Sequence, residues 1–187
     1  MNKISRCLLY IAIGVILHTA IILIFVLTFM RLRTPKFRFG SVSVQTLTTN
    51  YSTPPYFTMK LNAQVTIKNT NFGKFEFDNS TATVSFGGLP VGRAVIGKGK
   101  AKARSTKRVD VSVSLSTKNV LPENYDLRYN FDLGKLRLTS QGTLKGKVYL
   151  LKVIKRKKSA EMNCFMDVNI KTKKIENLHC GKCAYGC

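Results

Sequence analysis

Residues 65–88 read VTIKNTNFGKFEFDNSTATVSFGG. Apolar and polar residues alternate from Val65 to Lys68, the pattern halts at Asn69-Thr70-Asn71-Phe72-Gly73, and alternation then resumes. A period of two sends successive side chains to opposite faces of a strand, one face buried and one wet. Asn side chains bond to nearby backbone, and both Asn and Gly accept left-handed geometry. The stretch therefore predicts two strands joined by a hairpin-type connection at residues 69–73. It holds no nucleophile–base pair and no cluster of metal ligands.

The same signature recurs on both sides. Strand-like runs are FRFGSVSVQTL, YFTMKLNAQVTIKN, FEFDNSTATVSF, LPVGRAVI, RVDVSVSLS, LRYNFDL, TLKGKVYLLKVI, NCFMDVNI and KIENLHC. Alternation is plainest in Leu61, Ala63, Val65, Ile67 and in Val109, Val111, Val113, Leu115. Beta-branched and aromatic residues fill the runs, with Gly, Asn, Pro and Asp between them. The expected fold is all-β, an antiparallel β-sandwich of about seven to nine strands. A short helix around Leu121–Tyr125 is the exception, opened by Asn119 or Pro122.

The N-terminus differs. Cys7 to Met30 contains no Asp, Glu, Lys or Arg. At about 1.5 Å rise per residue, this length crosses a hydrocarbon core of roughly 30 Å. A cleaved signal peptide would have a shorter apolar region, about 7–15 residues, and a small-residue cleavage site. Here the run ends in Thr28-Phe29-Met30-Arg31, so a retained anchor is expected. The expected division is a cytoplasmic tail at 1–6, a transmembrane helix at 7–30, a basic stalk at 31–38 and a β-sandwich at 39–187. Cys7, at the mouth of the helix, is a candidate for S-palmitoylation, or an inert apolar cysteine.

Two features lead to the expectation that the large domain lies outside the cytoplasm. Asn50-Tyr51-Ser52 and Asn79-Ser80-Thr81 are glycosylation sequons. Cys164, Cys180, Cys183 and Cys187 form an even set, as an oxidising compartment favours. Flanking charge gives no decision, because Lys3 and Arg6 precede the helix, Arg31, Arg33, Lys36 and Arg38 follow it, and the positive-inside rule weakens for long domains. His179-Cys180-x2-Cys183-x3-Cys187 mimics zinc-ligand spacing, but structural zinc takes two separated pairs, and no metal is expected. Folding residues 164–180 as a hairpin around Lys171–Lys174, with Ile170 opposite Ile175, sets Cys164 opposite residues 180–182. A bridge to Cys180 or Cys183 is then feasible if the Cα atoms lie within about 7 Å, with free thiols as the second reading and zinc as the third.

Lys and Arg number 31 against 9 Asp and Glu, a net charge of +22. Such an excess points to an anionic neighbour. Lys98, Lys100, Lys102, Arg104, Lys107 and Arg108 form one cluster; Lys155, Arg156, Lys157 and Lys158 form another. Anionic lipid headgroups, worth about 1 kcal/mol per well-placed cation, or cell-wall polyanions are the candidate ligands. A solvated basic face is the competing reading. Nucleic acid is not expected, since no reading module accompanies the charge. GKGKAKARST lacks phosphate-loop spacing. With no G-x-S-x-G or H-E-x-x-H, and His179 the only His outside the apolar span, neither an enzyme nor a cofactor is expected.

Together these features resemble the plant late embryogenesis abundant group 2 proteins, and within them the harpin-induced, defence-related, membrane-anchored branch. The family pattern is an alternating strand, Asn-Pro-Asn, a Gly or aromatic residue, and a second strand. This chain reads Val65-Thr66-Ile67-Lys68-Asn69-Thr70-Asn71-Phe72-Gly73, with Thr70 where Pro is usual. The resemblance continues through SFGGLPVGRAVI, RVDVSVSL and GKVYLLKVIKRKKSAEMNCFMDVNI. It implies a membrane-tethered β-sandwich without catalytic residues, associated with stress or defence responses and often found at the plasma membrane; the expected mechanism, from the basic clusters, is protein or anionic-surface binding. The alternative is a lipid-binding or lipid-transfer module, which needs an apolar slot between the sheets.

Overall fold

The computed structural model describes residues 3–29, 31–120, 127–150 and 154–181. It divides into two compact units, residues 1–33 and 34–187. The first holds helix α1 (Lys3–Phe29), of which Ile4–Val26 is long and apolar enough to cross a membrane. Its described side chains are exposed on every side and mostly apolar from Cys7 onward, the pattern of a membrane anchor or signal sequence. The hydroxyl of Thr19 donates to Val15 O at 2.7 Å, so this polar group is satisfied within the helix.

The second unit contains β1 (Lys36–Asn50), β2 (Tyr56–Lys68), β3 (Lys74–Phe77), β4 (Ser80–Phe86), β5 (Leu89–Ile96), β6 (Gly99–Ala101), β7 (Thr106–Ser116), α2 (Arg128–Asp132), β8 (Lys135–Leu150), β9 (Ile154–Asn169) and β10 (Lys174–Cys180). Strands β1, β2 and β7 form one antiparallel sheet in the order β1-β2-β7. The other sheet runs β10-β9-β8. Beyond β8, β4 pairs with residues 138–142 and β3 with residues 146–149. β3 and β4 are thus one strand broken at Asp78-Asn79, and their outer partners β6 and β5 are broken at Gly97-Lys98. The break is closed by Asp78 N–H donating to Lys145 O at 3.0 Å and Lys98 N–H donating to Asn79 Oδ1 at 2.7 Å. Among the described residues the ten segments occupy eight strand positions, an all-β antiparallel fold within the seven to nine expected.

The alternating apolar positions meet between the sheets. Phe57 of β2 packs edge-on against Phe86 of β4, with centroids 5.4 Å apart. Val65, Ile67, Phe75, Leu138 and Val148 are fully buried around them. Each such side chain contributes about 1.5–3 kcal/mol by leaving water. Among the described residues these side chains lie in the core between the sheets. The Phe86-Gly87-Gly88-Leu89 turn joins β4 to β5, with both glycines at positive φ (56° and 83°), the geometry that a tight hairpin asks of its central residues.

Several expectations are corrected. Residues 69–73 are not a hairpin: β2 and β3 lie in different sheets, so the stretch is a crossover between layers. The stalk ends sooner than residue 38, because Lys36, Phe37 and Arg38 pair with Lys68, Ile67 and Thr66. LRYNFDL is not a strand. Leu127 and Phe131, four apart, are buried on one face of α2, while Tyr129 and Leu133 are 68% and 57% exposed. Gly134 at φ +68° closes that helix, its N–H donating to Phe131 O at 3.0 Å. The basic run at 155–158, which lies outside the strand-like runs read from the sequence, forms the start of β9. The β9–β10 turn does fall at residues 170–173, but Lys174 pairs with Asn169 rather than Ile175 with Ile170. The helix expected around Leu121–Tyr125 and the candidate cysteines Cys183 and Cys187 lie outside the described residues.

Candidate functional site: the basic crossover end

The crossover is built on one side chain. Asn69 is 1% exposed. Its Nδ2 donates to Gly73 O at 2.8 Å and Lys102 O at 3.0 Å. Its Oδ1 accepts from Asn71 N–H at 3.1 Å and Asn71 Nδ2 at 3.0 Å. Backbone bonds complete the lacing: Asn69 N–H donates to Ser105 O at 2.8 Å, and Arg104 N–H to Asn71 O at 2.9 Å. One carboxamide therefore ties the outgoing crossover, β2 to β3, to the returning one, β6 to β7. A buried amide satisfied on both its donor and acceptor sides fixes geometry firmly, because each lost bond would leave a desolvated group. Gly73 lies against the β8 backbone so closely that a Cβ there would collide with Tyr149 O and come within 2.6 Å of Tyr149 C. Only glycine permits that approach.

Cations gather at this braced end. Antiparallel pairing sets Lys100 opposite Glu76, Glu76 opposite Lys147 and Lys147 opposite Lys157. These four form one row across the sheet. The next row pairs Lys74, Tyr149 and Lys155, with Lys74 Nζ 4.8 Å and Lys155 Nζ 5.6 Å from the centroid of the Tyr149 ring. On the facing sheet, Lys36 stands opposite Lys68, and Arg38 and Arg108 flank Thr66. A shallow pocket of about 390 Å³ is lined by Asp78, Lys145, Lys147, Lys157, Lys158 and Ser159.

The two sequence clusters thus partly merge. Lys100 and Lys157 share a row, and Lys155 lies one row along. Lys102 and Arg104 sit in the returning crossover, and Lys107 and Arg108 open β7 on the other sheet. Lys98 lies apart, in the strand break beside Asn79. Arg156 and Lys158 have the opposite parity to Lys155 and Lys157 along β9. Lys36, Lys68, Lys74, Lys145 and Lys147 escaped the sequence reading, because each is an isolated cation until strand pairing gives it neighbours.

Like charges directly opposite each other destabilise a ladder, and strands lie only about 4.8 Å apart. Among the described residues no ion pair engages Lys147 or Lys157. The acid in the row, Glu76, is already committed, since Lys74 Nζ donates to its Oε1 at 2.7 Å. That bond holds the Glu76 carboxyl below its ordinary range, with help from Tyr149 and Lys100, and raises the Lys74 ammonium.

The remaining candidates lie elsewhere. Cys164 and Cys180 form a disulfide between β9 and β10, with Cα atoms 4.1 Å apart. Bridged Cys180 offers no thiolate to the zinc-like spacing. The His179 ring lies 5.3 Å from that of Phe165. Among the described residues no three His, Cys, Asp or Glu side chains gather to hold a metal. Cys7 is a free, exposed thiol on α1. Asn50 is half-buried and Asn79 exposed.

Residues 64–166 match the model of the family described as late embryogenesis abundant protein. Over 179 residues the chain is 33% identical to the late embryogenesis abundant protein At1g64065 of Arabidopsis thaliana, covering 94% of this chain and 83% of that one. The chain belongs to the late embryogenesis abundant family, in its LEA_2 group. Solved structures of similar chains include AT1g01470 of Arabidopsis thaliana, with 14% identity, a TM-score of 0.42, and coverage of 73% of this chain and 83% of that one. A protein from Archaeoglobus fulgidus has 14% identity, a TM-score of 0.34, and coverage of 66% and 94%. Membership in LEA_2 suggests a stress-related role, and the late embryogenesis abundant match spans the Asn69 crossover, the Lys147–Lys157 pair and most of β9.

Proposed function

We propose that this chain is a non-enzymatic, single-pass membrane protein of plant stress responses whose basic crossover end binds the anionic headgroups of the membrane holding its helix. One observation carries the proposal. Two directly opposed lysine pairs, Lys147–Lys157 in one sheet and Lys36–Lys68 in the other, occupy the end of the β-unit at which β1 begins. An anion bound there relieves the like-charge repulsion, and the tether raises the effective concentration of headgroups. The Cys164–Cys180 disulfide supports an extracytoplasmic domain, since such bridges persist in oxidising compartments. Placement at the plasma membrane and in the defence-related branch rests on the motif resemblance around Asn69.

Amine-reactive footprinting of the full chain in nanodiscs tests this. Lys36, Lys68, Lys147 and Lys157 are expected to lose reactivity when phosphatidylserine is added to phosphatidylcholine, and to regain it in high salt. Equal reactivity in both nanodiscs refutes the proposal. Stronger protection by soluble polyuronate than by phosphatidylserine reassigns the end to a cell-wall polyanion.

A further inference from the structure

The crossover end also carries apolar side chains that the charge does not explain. The phenylalanines of β1 to β4 are all buried, yet Phe72, at the tip of the crossover, is 50% exposed. Ile154, which opens β9, is 38% exposed at the same end. The two are linked through one stretch of backbone. Gly73 rests on Tyr149-Leu150, and Leu150 pairs with Ile154. Scattered exposed apolar residues are ordinary on soluble domains. These two have cations close by: Arg104 stands beside the Phe72 ring, Lys155 follows Ile154 in β9, and Lys74 and Lys155 both reach the ring of Tyr149, on whose backbone Gly73 rests.

The loop that presents Phe72 is rigid. Asn69 braces it from below through bonds to Gly73 and Lys102, and Asn71 O accepts from Arg104 N–H. Arg104 occupies the left-handed region at φ +51°, which disfavours residues other than Gly and Asn by roughly 1–2 kcal/mol. In this geometry its guanidinium stands 4.8 Å from the Phe72 ring centroid. An aromatic ring with a long cation beside it, on a fixed tip within a basic field, matches the membrane interface. There the apolar body enters the headgroup–acyl boundary while the charge reaches phosphate. A soluble polyanion would use the lysines but offers no acyl boundary for Ile154 to enter.

We infer that Phe72 and Ile154 insert into the lipid interface as apolar tips, with Arg104 as the phosphate-facing partner of Phe72. This rests on the headgroup-binding reading and adds depth to it: the domain sits in the interface, beyond electrostatic contact with it.

The chain contains no Trp, so Phe72→Trp places a single reporter at the tip, and Ile154→Trp a second one independently. Tyr129→Trp on α2, near the opposite end of β8, is the control. Each full-length variant is reconstituted in phosphatidylcholine–phosphatidylserine nanodiscs containing lipid brominated near the headgroup end of the acyl chain. Blue-shifted emission and several-fold stronger quenching at Phe72→Trp and Ile154→Trp than at Tyr129→Trp are expected. Phe72→Ser is expected to weaken the lysine protection without abolishing it. Lysine protection with no quenching at either tip overturns the insertion and leaves the headgroup reading intact. Absence of both overturns the two together, and equal quenching at all three positions shows indiscriminate contact and overturns the inference.

Discussion

Asn177 Nδ2 donates to Asp167 Oδ2 at 3.1 Å, and this pair pins the irregular point of the β9–β10 ladder. Up to Glu176–Asp167 the pairing is regular; past it His179 faces Phe165 and Cys180 faces Cys164. The extra residue is taken up at Asn177, which lies at φ +52°. Had the first register continued, His179 would stand opposite Cys164. The bulge therefore brings the two half-cystines together.

Asp167 is buried, and Arg137 Nε donates to its Oδ1 at 3.0 Å. This bond is the main reason its carboxyl is held below the ordinary value of 3.8; Asn177 assists, and burial opposes. A carboxyl with a lowered folded pKa adds stability that is fully present above the unfolded pKa and lost as pH falls through the folded one. Asp167→Asn is expected to lower stability by about 1 kcal/mol at neutral pH, a modest figure because the Arg137 side chain is 74% exposed. Urea unfolding of the full chain in micelles, followed by circular dichroism, should show the two proteins converging as pH drops below 3.8. A gap independent of pH would show that the carboxylate charge is not its source.

Asn177 separates chain length from backbone geometry. Asn177→Val keeps the extra residue but cannot comfortably hold φ +52°, a penalty of about 1–2 kcal/mol. It should lower both stability and the yield of the 164–180 bridge, read by non-reducing peptide mapping. Deleting Asn177 removes the need for a bulge and restores one continuous register, so that variant should still form the bridge. Loss of the bridge in the deletion would contradict the register account. Replacing both Cys164 and Cys180 with Ser should cost about 3 kcal/mol, the value for a loop near this length, measured by the same unfolding experiment.

Strand parity was legible because it is local: Leu61–Ile67 and Val111–Leu115 bury alternate residues as their spacing predicts, with Val109 half-buried. Bridging of Cys164 was legible for a similar reason, since a short hairpin admits few registers. The crossover was not. Whether β3 rejoins the sheet of β2 depends on Asn69 reaching Lys102, 33 residues away. Leu127 and Phe131 satisfy a period of two and an i, i+4 spacing equally well, and Tyr129 betrays the difference only through its exposure. The lysine rows were hidden because Lys147 acquires Lys157 as a neighbour only through the β8–β9 register.

Asn69 offers a test of the crossover. Asn69→Ala strips Gly73 O and Lys102 O of their shared donor and removes the Oδ1 that accepts from Asn71 N–H and Nδ2. With buried unsatisfied groups at about 1–3 kcal/mol each, a loss of about 3 kcal/mol is expected in urea unfolding. Asn69→Asp is the sharper variant. It is nearly isosteric but points oxygens at two carbonyls, so it should destabilise at least as much as Ala at neutral pH. An Asp variant as stable as the parent would remove the donor role from Asn69.

The two sequons differ in what their carboxamides already do. Asn50 Nδ2 donates to the Tyr56 hydroxyl at 3.1 Å, and its Oδ1 accepts from Ser52 N–H at 2.8 Å. Among the described residues Asn79 is anchored through Oδ1 alone, which accepts from Lys98 N–H at 2.7 Å. Its exposed side chain borders an open hollow of about 600 Å³ lined by Thr81, exposed Val95, Gln141 and Thr143. If the β-unit is made in the secretory lumen, Asn79 should carry the N-linked glycan. Expression in eukaryotic cells should then give an endoglycosidase-sensitive gel shift that disappears in Asn79→Gln and Thr81→Ala and persists in Asn50→Gln. A shift lost in Asn50→Gln instead would mean that glycan transfer precedes the folding that engages Asn50. No shift, together with protection of the β-unit from external protease in intact cells, would place the domain on the cytoplasmic side. The lysine rows would then face the more anionic leaflet, while the Cys164–Cys180 bridge would have to survive a reducing compartment.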